Sequence, residues 1–266
     1  MMNHGKQNVL GILIDTVDYE CAIEQIIGAA RQHKPFPVAC APVHSVMEGA
    51  LHPAHRYRMN HLAMVVPDGM PVRWALRLLH EVDLPDRVRG VTLTLALLAR
   101  VERETIGVYF YGNTRSGLDQ LRSRLLELYP ALRICGMEPS RFRSLTPEER
   151  QELDARIRAS GAQITFVGIG SPLQDIWAYE HAPEISMPIL GIGGAFNVIA
   201  GSVPDAPLWM QRHGLEWLYR LTRDPARLWR RYVLLNPAYM CMVALQKLGH
   251  RFNVQGTQPK ADLYCG

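Results

Sequence analysis

Short apolar runs alternate with amphipathic patterns of helical spacing along the chain, up to about residue 194. This alternation predicts βαβ units around a mostly parallel sheet, so the expected fold class is α/β. The runs predict strands at residues 9–14, 37–41, 62–66, 107–111, 164–168 and 188–192, and a shorter run at 132–135 is compatible with one more.

Helical patterns fill the intervals between the predicted strands, for example over roughly residues 18–31 and up to about residue 129. Thr146 has the strongest start signal, because it precedes Pro147 at the first helical position and Glu149 can close a capping box. After Gly194 no further strand is evident, and the pattern predicts short helices to about residue 249.

These patterns predict three parts: an α/β core at 1–203, a helical appendage at 204–252 and a flexible tail at 253–266. The core and the appendage differ in net charge. The chain has a net charge of +4, yet residues 205–251 hold eight Lys or Arg and only three Asp or Glu, which leaves 21 basic and 22 acidic residues elsewhere. A neutral body with a basic appendage is expected to meet a phosphorylated substrate, anionic lipid or nucleic acid.

Three arginines of the appendage, Arg220, Arg227 and Arg230, are seven and then three residues apart. A helix would place them along one side, where guanidinium groups can grip a diphosphate. An ordinary solvated basic face is the alternative. Aromatic residues lie among the arginines and suit either a membrane interface or packing onto the core. They are Trp209, Trp217, Tyr219, Trp229 and Tyr232.

Ligands of parallel α/β sheets bind beyond the carboxyl ends of the strands, and three predicted loops there carry candidate residues. Asp68 ends a buried strand. The other two loops are glycine turns that enter helices, one with Gly170 and Ser171 and one with Gly193 and Gly194. Glycine permits close approach of an anion to the backbone at a helix start. Each signal has a structural alternative, since Asp68 could cap the next helix and the glycines could serve the turns alone.

Several function classes lose support. The glycine turns do not form G-x-G-x-x-G in a first βαβ unit, and neither a P-loop nor a G-x-S-x-G motif occurs. The five cysteines show no C-x-x-C pair, and His52, His55 and His61 have no nearby carboxylates at ligand spacing. We therefore expect no metal and no cofactor. No apolar run reaches the roughly 18 residues of a transmembrane helix, and no signal peptide is evident, so a cytoplasmic protein is predicted.

Seven ordered motifs resemble those of the WecG/TagA/CpsF glycosyltransferase family, over about residues 10–248. They are His44-Ser45-Val46-Met47, Pro67-Asp68-Gly69-Met70-Pro71, Arg87-Val88-Arg89-Gly90, Phe110-Tyr111-Gly112, Val167-Gly168-Ile169-Gly170-Ser171-Pro172 with Gln174, Gly191-Ile192-Gly193-Gly194-Ala195-Phe196, and Gly214-Leu215-Glu216-Trp217-Leu218-Tyr219-Arg220-Leu221 followed by Pro225, Arg227 and Arg230. The resemblance implies a Rossmann-like core, with helices on both faces of the sheet and an appendage that closes over the active site.

The resemblance also implies an activity: transfer of a sugar from a UDP-sugar to a polyprenyl-diphosphate-linked saccharide at the inner face of the cell membrane. On that basis Asp68 is the predicted general base, and Gln174 lies near the sugar donor. Arg220, Arg227 and Arg230 are predicted to hold the diphosphate. The predicted substrate-binding set is completed by Gly112, Gly170, Ser171, Gly193 and Gly194.

Departures from the family pattern bear on which sugar the donor carries. A usual T-x-N is Cys40-Ala41-Pro42 here, Asn197 and Thr92 replace aspartates, Leu173-Gln174-Asp175 replaces K-Q-E, and Asp205 replaces an arginine. The lost polar groups are compatible with a donor without an N-acetyl group or with lower activity. A branch that makes exopolysaccharide repeats of the xanthan type is similar, which favours UDP-glucose; an N-acetylmannosamine-type transferase is the alternative.

The sequence contains no D-x-D, so we predict a metal-independent, peripherally membrane-associated enzyme whose oligomeric state is open. Two alternatives from other classes remain. A non-catalytic nucleic-acid-binding module is disfavoured because the core has no basic excess and no recognisable RNA-binding motif. A dinucleotide-dependent oxidoreductase is disfavoured by the missing glycine fingerprint.

Overall fold

A computed structural model describes residues 1–260 and 265–266; the side chains of Arg227 and Arg231 lie outside the described residues, as do residues 261–264 of the predicted tail. The strands are β1 Asn3–Val9, β2 Ile12–Val17, β3 Phe36–Ala41, β4 Met64–Pro67, β5 Val108–Gly112, β6 Ile134–Glu138, β7 Ile164–Gly168 and β8 Pro188–Gly191. The helices are α1 Tyr19–Arg31, α2 Val43–Leu51, α3 Pro53–Asn60, α4 Met70–His80, α5 Gly90–Arg103, α6 Arg115–Leu128, α7 Pro147–Ala159, α8 Leu173–Ile185, α9 Gly194–Ile199, α10 Leu208–Arg212, α11 Glu216–Arg223 and α12 Pro225–Lys247.

Six strands form one parallel sheet in the order β4-β3-β8-β7-β5-β6. Successive residues of a strand point to opposite faces. In β5, Phe110 packs with α1, α5, α6 and α9 on one face, whereas Tyr109 and Tyr111 pack with α7 and α8 on the other. Helices α2, α3, α4 and α12 cover the remainder of that second face, near β3 and β4. The predicted Rossmann-like α/β fold with helices on both faces is confirmed.

The prediction of a single strand at residues 9–14 is wrong. The chain instead makes an antiparallel hairpin of β1 and β2, which turns at Leu10 and Gly11 with φ values of 54° and 90°. Positive φ at both central residues matches the twist of a two-residue hairpin, and glycine adopts it without strain. The Gly11 N–H donates to Asn8 Oδ1 at 2.7 Å and fixes the turn. The apolar run was therefore two strands that meet at a turn.

The capping box at Thr146 is confirmed, with Glu149 Oε2 accepting from the Thr146 N–H at 2.9 Å and Thr146 Oγ1 accepting from the Glu149 N–H at 3.3 Å. The prediction of only short helices after Gly194 is wrong for α12, which has 23 residues and contains Pro237. A proline inside a helix costs about 3 kcal/mol. Packing of Tyr239 and Val243 into the core beside α2 and α4 offsets that cost.

Residues 253–257 hydrogen-bond to the N-terminal half of the chain. Asn60 Nδ2 donates to the Val254 carbonyl at 2.7 Å, and the Thr257 N–H donates to the Pro53 carbonyl at 3.0 Å. The division into core, appendage and tail stays a prediction, although this segment and α12 both pack on the body that bears the sheet. Of the helices that the structure describes, none is both long and apolar enough to cross a bilayer.

Candidate active site

Two neighbouring cavities lie beyond the carboxyl ends of the parallel strands, beneath α11 and α12. The larger cavity, of about 610 Å³, is bounded by the ends of β3, β4 and β8, by the loop after β7 and by α11. The smaller cavity, of about 110 Å³, lies between the start of α4 and helices α11 and α12. Their shared wall consists of Pro42, Asp68, Arg220 and Tyr232. This is the edge of the sheet where ligands of parallel α/β folds bind.

Asp68 follows β4 directly and is held by the backbone on two sides. Its N–H donates to the Ala41 carbonyl at 3.3 Å, and its Oδ1 accepts from the Gly90 N–H at 3.1 Å. The alternative that Asp68 caps α4 is wrong, since Gly69 occupies that position without a side-chain cap. The carboxylate instead accepts from the first residue of α5, and Asp68 belongs to the wall that the two cavities share.

Burial raises the pKa of Asp68 to about 6. The guanidinium groups of Arg220 and Arg87 oppose this rise, as does the hydrogen bond from Gly90, whereas Glu216 adds to it. A carboxyl with a pKa just below neutral is ionised at pH 7 and still holds a proton more firmly than a solvated aspartate does. These are the properties of a general base.

The loop after β7 and the first turn of α8 bring three predicted residues to the larger cavity: Gly170, Ser171 and Gln174. Gly170 has a φ of 88°, which only glycine adopts readily, and its carbonyl accepts from the Gln174 N–H at 2.9 Å. Gln174 is buried, and among the described residues its Oε1 has no hydrogen-bond partner. A buried amide oxygen without a partner is costly, so this oxygen is poised to accept from a ligand.

Asp175 is a second buried carboxyl beside this loop, and sequence reasoning did not assign it a role. It is 1% exposed, and Ser171 Oγ donates to its Oδ2 at 3.1 Å. Ser171 Oγ also lies 3.0 Å from Ser45 Oγ of α2. Burial raises the pKa of Asp175 to about 7, and the bond from Ser171 lowers it slightly. The spacing of four residues from Ser171, at the start of a helix, was the one signal for this contact.

The predicted glycines divide between the cavity and the strand ends. Gly194 lines the larger cavity. A Cβ at Gly193 would collide with Gln174 Oε1, so Gly193 leaves room for the amide beside the cavity. Gly112, with a φ of 117°, is pressed against the Gly168 backbone at the ends of β5 and β7. The structure does not bring Gly112 to the wall of either cavity, and close strand approach accounts for it.

The three predicted arginines are placed differently. Arg220 of α11 lines both cavities and interacts electrostatically with Asp68. Arg230 is exposed, lines neither cavity, and holds its guanidinium carbon 5.4 Å from the centroid of the Trp229 ring. The side chain of Arg227 lies outside the described residues. Arg223, which was not predicted, lines the larger cavity beside Tyr219.

An ion-pair network fastens α11 to the core. Arg87 pairs with Glu216 through Nη1, and Arg89 Nε lies 2.9 Å from Glu216 Oε1. Arg89 Nη1 also donates to Asp205 Oδ2 at 2.8 Å. Both arginines are buried, and they come just before Gly90, whose N–H binds the site carboxylate. The network therefore holds α11, which bears Arg220, in place beside Asp68.

The aromatic residues of the appendage have mixed positions. Trp217 lines the smaller cavity with its ring centroid 6.0 Å from that of Tyr232, and Tyr219 lines the larger cavity. Trp209 and Trp229 are exposed. Packing against the cavities explains Trp217, Tyr219 and Tyr232. The exposed indoles of Trp209 and Trp229 remain candidates for contact with a membrane surface.

The chain matches the protein-family model described as the glycosyl transferase WecG/TagA/CpsF family over residues 7–253. The matched range contains every residue that lines the two cavities.

Proposed function

Because the chain belongs to the WecG/TagA/CpsF family, it is a glycosyltransferase of cell-surface polymer synthesis, and we propose that it transfers a sugar from a UDP-sugar to a polyprenyl-diphosphate-linked saccharide. The expected donor is UDP-glucose and the expected pathway is exopolysaccharide synthesis, in a branch similar to that of the xanthan type. An N-acetylmannosamine-type transferase is the second candidate within the same family.

One observation carries the proposal: a carboxylate and a guanidinium share the wall between two cavities. In an inverting transfer, an acceptor hydroxyl attacks the anomeric carbon, its proton goes to a base, and the bond from that carbon to the UDP phosphate breaks with the electron pair leaving on UDP. Asp68 is placed to take the proton. Arg220 is placed to stabilise the charge that develops on the leaving diphosphate. No glycosyl-enzyme forms, so one carboxylate suffices.

The wall of the larger cavity supports a donor without an N-acetyl group. At the end of β3, Cys40 and Pro42 present a thiol and a pyrrolidine ring where the family motif has two polar side chains. Val198 and Val203 add apolar surface. These four side chains form an apolar part of the wall, and the amide of an N-acetyl substituent seated against them would lose its bonds to water without replacement.

Metal independence is part of the proposal. The sequence contains no D-x-D, and Arg220 and Arg223 at the larger cavity can supply the positive charge that a divalent ion gives other transferases. We expect the transfer rate to persist in excess EDTA. Loss of the rate in EDTA with recovery on addition of Mg²⁺ or Mn²⁺ would refute this part.

The outer face of α12 supports binding to a membrane surface. Its exposed apolar stripe consists of Val233, Leu234, Pro237, Met240, Cys241 and Leu245. No charged residue occurs from 232 to 246, whereas Arg230 precedes this stretch and Lys247 ends it. An apolar face with cationic ends suits a helix that lies in the headgroup region of an anionic membrane.

The decisive test is a transfer assay with a synthetic glucosyl-diphosphate-polyprenol and a panel of labelled UDP-sugars. We expect a lipid-linked disaccharide from UDP-glucose and stabilisation of the protein by UDP in a thermal-shift screen. NAD and short oligonucleotides are the controls, and we expect neither to stabilise the protein. Stabilisation by an oligonucleotide without any transfer would favour the binding-module alternative.

Membrane association is tested by flotation with vesicles that contain anionic lipid. The double variant Leu234→Glu and Leu245→Glu is expected to stay in the lower fractions, because each substitution places a carboxylate in the apolar stripe. Leu128→Glu, at an exposed position of α6, is the matched control and is expected to float like the wild type. If the double variant floats as well as Leu128→Glu does, the apolar stripe of α12 does not bind the membrane.

A further inference from the structure

We propose that the smaller cavity binds the terminal sugar of the lipid-linked acceptor while the larger cavity binds the UDP-sugar, an assignment that rests on the proposed transferase function. Size and position divide the two sites. The larger cavity has about 610 Å³, which falls in the usual range for a ligand of nucleotide size, and the glycine loops after β7 and β8 border it. The smaller cavity, of about 110 Å³, is too confined for a nucleotide.

The walls of the smaller cavity have the chemistry of a sugar site. Trp217 and Tyr232 present aromatic surface, and Met70 adds an apolar side chain. The amide of Asn236 and the imidazole of His44 supply hydrogen-bonding groups at the same wall. A few polar groups among aromatic and apolar ones are what orient a small polar ligand in a pocket.

Charge in the smaller cavity favours a neutral occupant over a diphosphate. It contains two arginines, but the guanidinium of Arg87 is paired with Glu216. The other, Arg220, belongs to the wall shared with the larger cavity, which also has Arg223. A nucleotide diphosphate is therefore better accommodated in the larger cavity, and an uncharged sugar ring fits the smaller one.

With the acceptor sugar in the smaller cavity and the donor in the larger one, the general base must lie between them, and Asp68 does. Its carboxyl belongs to the walls of both cavities. A hydroxyl of a sugar in the smaller cavity can reach the carboxylate at the boundary of the two cavities, and the assignment puts the anomeric carbon of the donor at the same boundary. The hydroxyl oxygen then attacks that carbon on the face opposite its bond to the leaving phosphate, as inversion requires.

The lipid part of the acceptor has a route from this cavity. Tyr232 and Asn236 lie one turn apart on α12 and both line the smaller cavity. Val233, Leu234 and Pro237 are their neighbours on the same helix and belong to its exposed apolar stripe. A sugar in the smaller cavity would thus be attached, through its own diphosphate outside the cavity, to a lipid that emerges beside the surface proposed to face the membrane.

Two cavity-filling variants test the assignment as a pair. Asn236→Leu removes the amide and adds apolar bulk to the smaller cavity. Val203→Trp adds bulk at the rim of the larger cavity, at a loop position that is 43% exposed. With glucosyl-diphosphate-polyprenol as the acceptor probe, Asn236→Leu is expected to raise the acceptor KM at least tenfold and to keep the Kd for UDP within about twofold. Val203→Trp is expected to weaken UDP binding and to keep the acceptor KM within about twofold.

Circular dichroism and the Tm establish that each variant folds. If Asn236→Leu does not fold, Asn236→Ala replaces it; loss of one hydrogen bond is expected to raise the acceptor KM about three- to tenfold. Weaker UDP binding in the Asn236 variants, or an unchanged acceptor KM, would overturn the assignment. Absence of transfer by the wild type with every sugar nucleotide would instead refute the transferase function, and the assignment with it.

Discussion

Asp68 and Asp175 both lie at the carboxyl edge of the sheet, and both have a pKa that burial raises toward neutrality. Burial, followed by the charges of these two carboxyls, also raises the pKa of the Cys40 thiol. The environments nevertheless differ. Asp68 belongs to the walls of two cavities and faces Arg220 and Arg87. Asp175 lines neither cavity and is 1% exposed, and the hydroxyl of Ser171 is its nearest donor.

The difference shows what separates a carboxyl with the properties of a general base from one that is only buried. A raised pKa follows from burial alone and is therefore common to both. Only Asp68 combines it with access to a ligand and with guanidinium groups that favour the ionised form. Asp175 has no cation among the causes of its shift, so its ionisation is opposed by burial and favoured only by the hydrogen bond from Ser171.

The largest expected effect is on turnover in Asp68→Asn. The amide cannot take the acceptor proton, so kcat should fall about 10²- to 10⁴-fold. The Kd for UDP should change less than about twofold, because the variant has the same shape as the wild type. Steady-state kinetics and calorimetry measure both. Asp119→Asn, at an exposed position of α6, is the matched control and should have wild-type kcat. Wild-type turnover of Asp68→Asn would remove Asp68 as the base.

The next effect is on UDP affinity in Arg220→Ala. A charge-assisted bond to the diphosphate is worth about 1.5–3 kcal/mol, so the Kd for UDP should rise about 10- to 100-fold. Arg212→Ala is the control, because Arg212 is an exposed arginine of the same appendage that lines neither cavity. Equal Kd values for UDP in both variants would mean that Arg220 does not bind the diphosphate and belongs to an ordinary solvated basic face.

Much of this comparison could be predicted from sequence. The parallel sheet followed from apolar runs of strand length, and Asp68 was found because it follows a buried strand at the edge where ligands bind. The glycine turn with Gly170 and Ser171 was found in the same way, whereas Gln174 was predicted from the family resemblance. Strands and turns can be predicted because periodicity and turn residues are local properties of the chain, and the roles of these residues stay predictions.

Other parts depend on contacts between distant segments. The Ser45 and Ser171 hydroxyls meet across 126 positions of sequence. The pairs that Glu216 makes with Arg87 and Arg89 join α11 to the start of α5. No periodicity encodes such contacts. The smaller cavity was not predicted for the same reason, since it exists only where α4, α11 and α12 come together.

The third prediction concerns pH. Because Asp68 acts as a base only when ionised, kcat/KM should rise with pH up to a plateau, with an apparent pKa near 6. It should fall about tenfold between pH 7 and pH 5. Arg220 lowers the pKa of Asp68, so the acid limb of Arg220→Ala should move to higher pH. A wild-type profile that is flat from pH 5 to pH 7 would contradict the assignment of the base.

The smallest effect on activity is expected for Asp175→Asn, which should change kcat less than about threefold because Asp175 lines neither cavity. Its effect is on stability. A folded-state pKa near 7, above the ordinary 3.8, means that the folded protein binds this proton more tightly than the unfolded chain does. The stabilising contribution is complete below pH 4 and is lost as pH rises toward 7 and beyond.

Asparagine does not titrate and can still accept from Ser171. The free energy of unfolding of Asp175→Asn should therefore match that of the wild type near pH 4 and exceed it by roughly 4 kcal/mol at pH 8. Asp68→Asn should show a smaller gain, because Arg220 and Arg87 already favour the ionised form of Asp68. Urea unfolding of the three proteins at both pH values measures the gain. Equal gains in the two variants would mean that guanidinium contacts do not distinguish the two carboxyls.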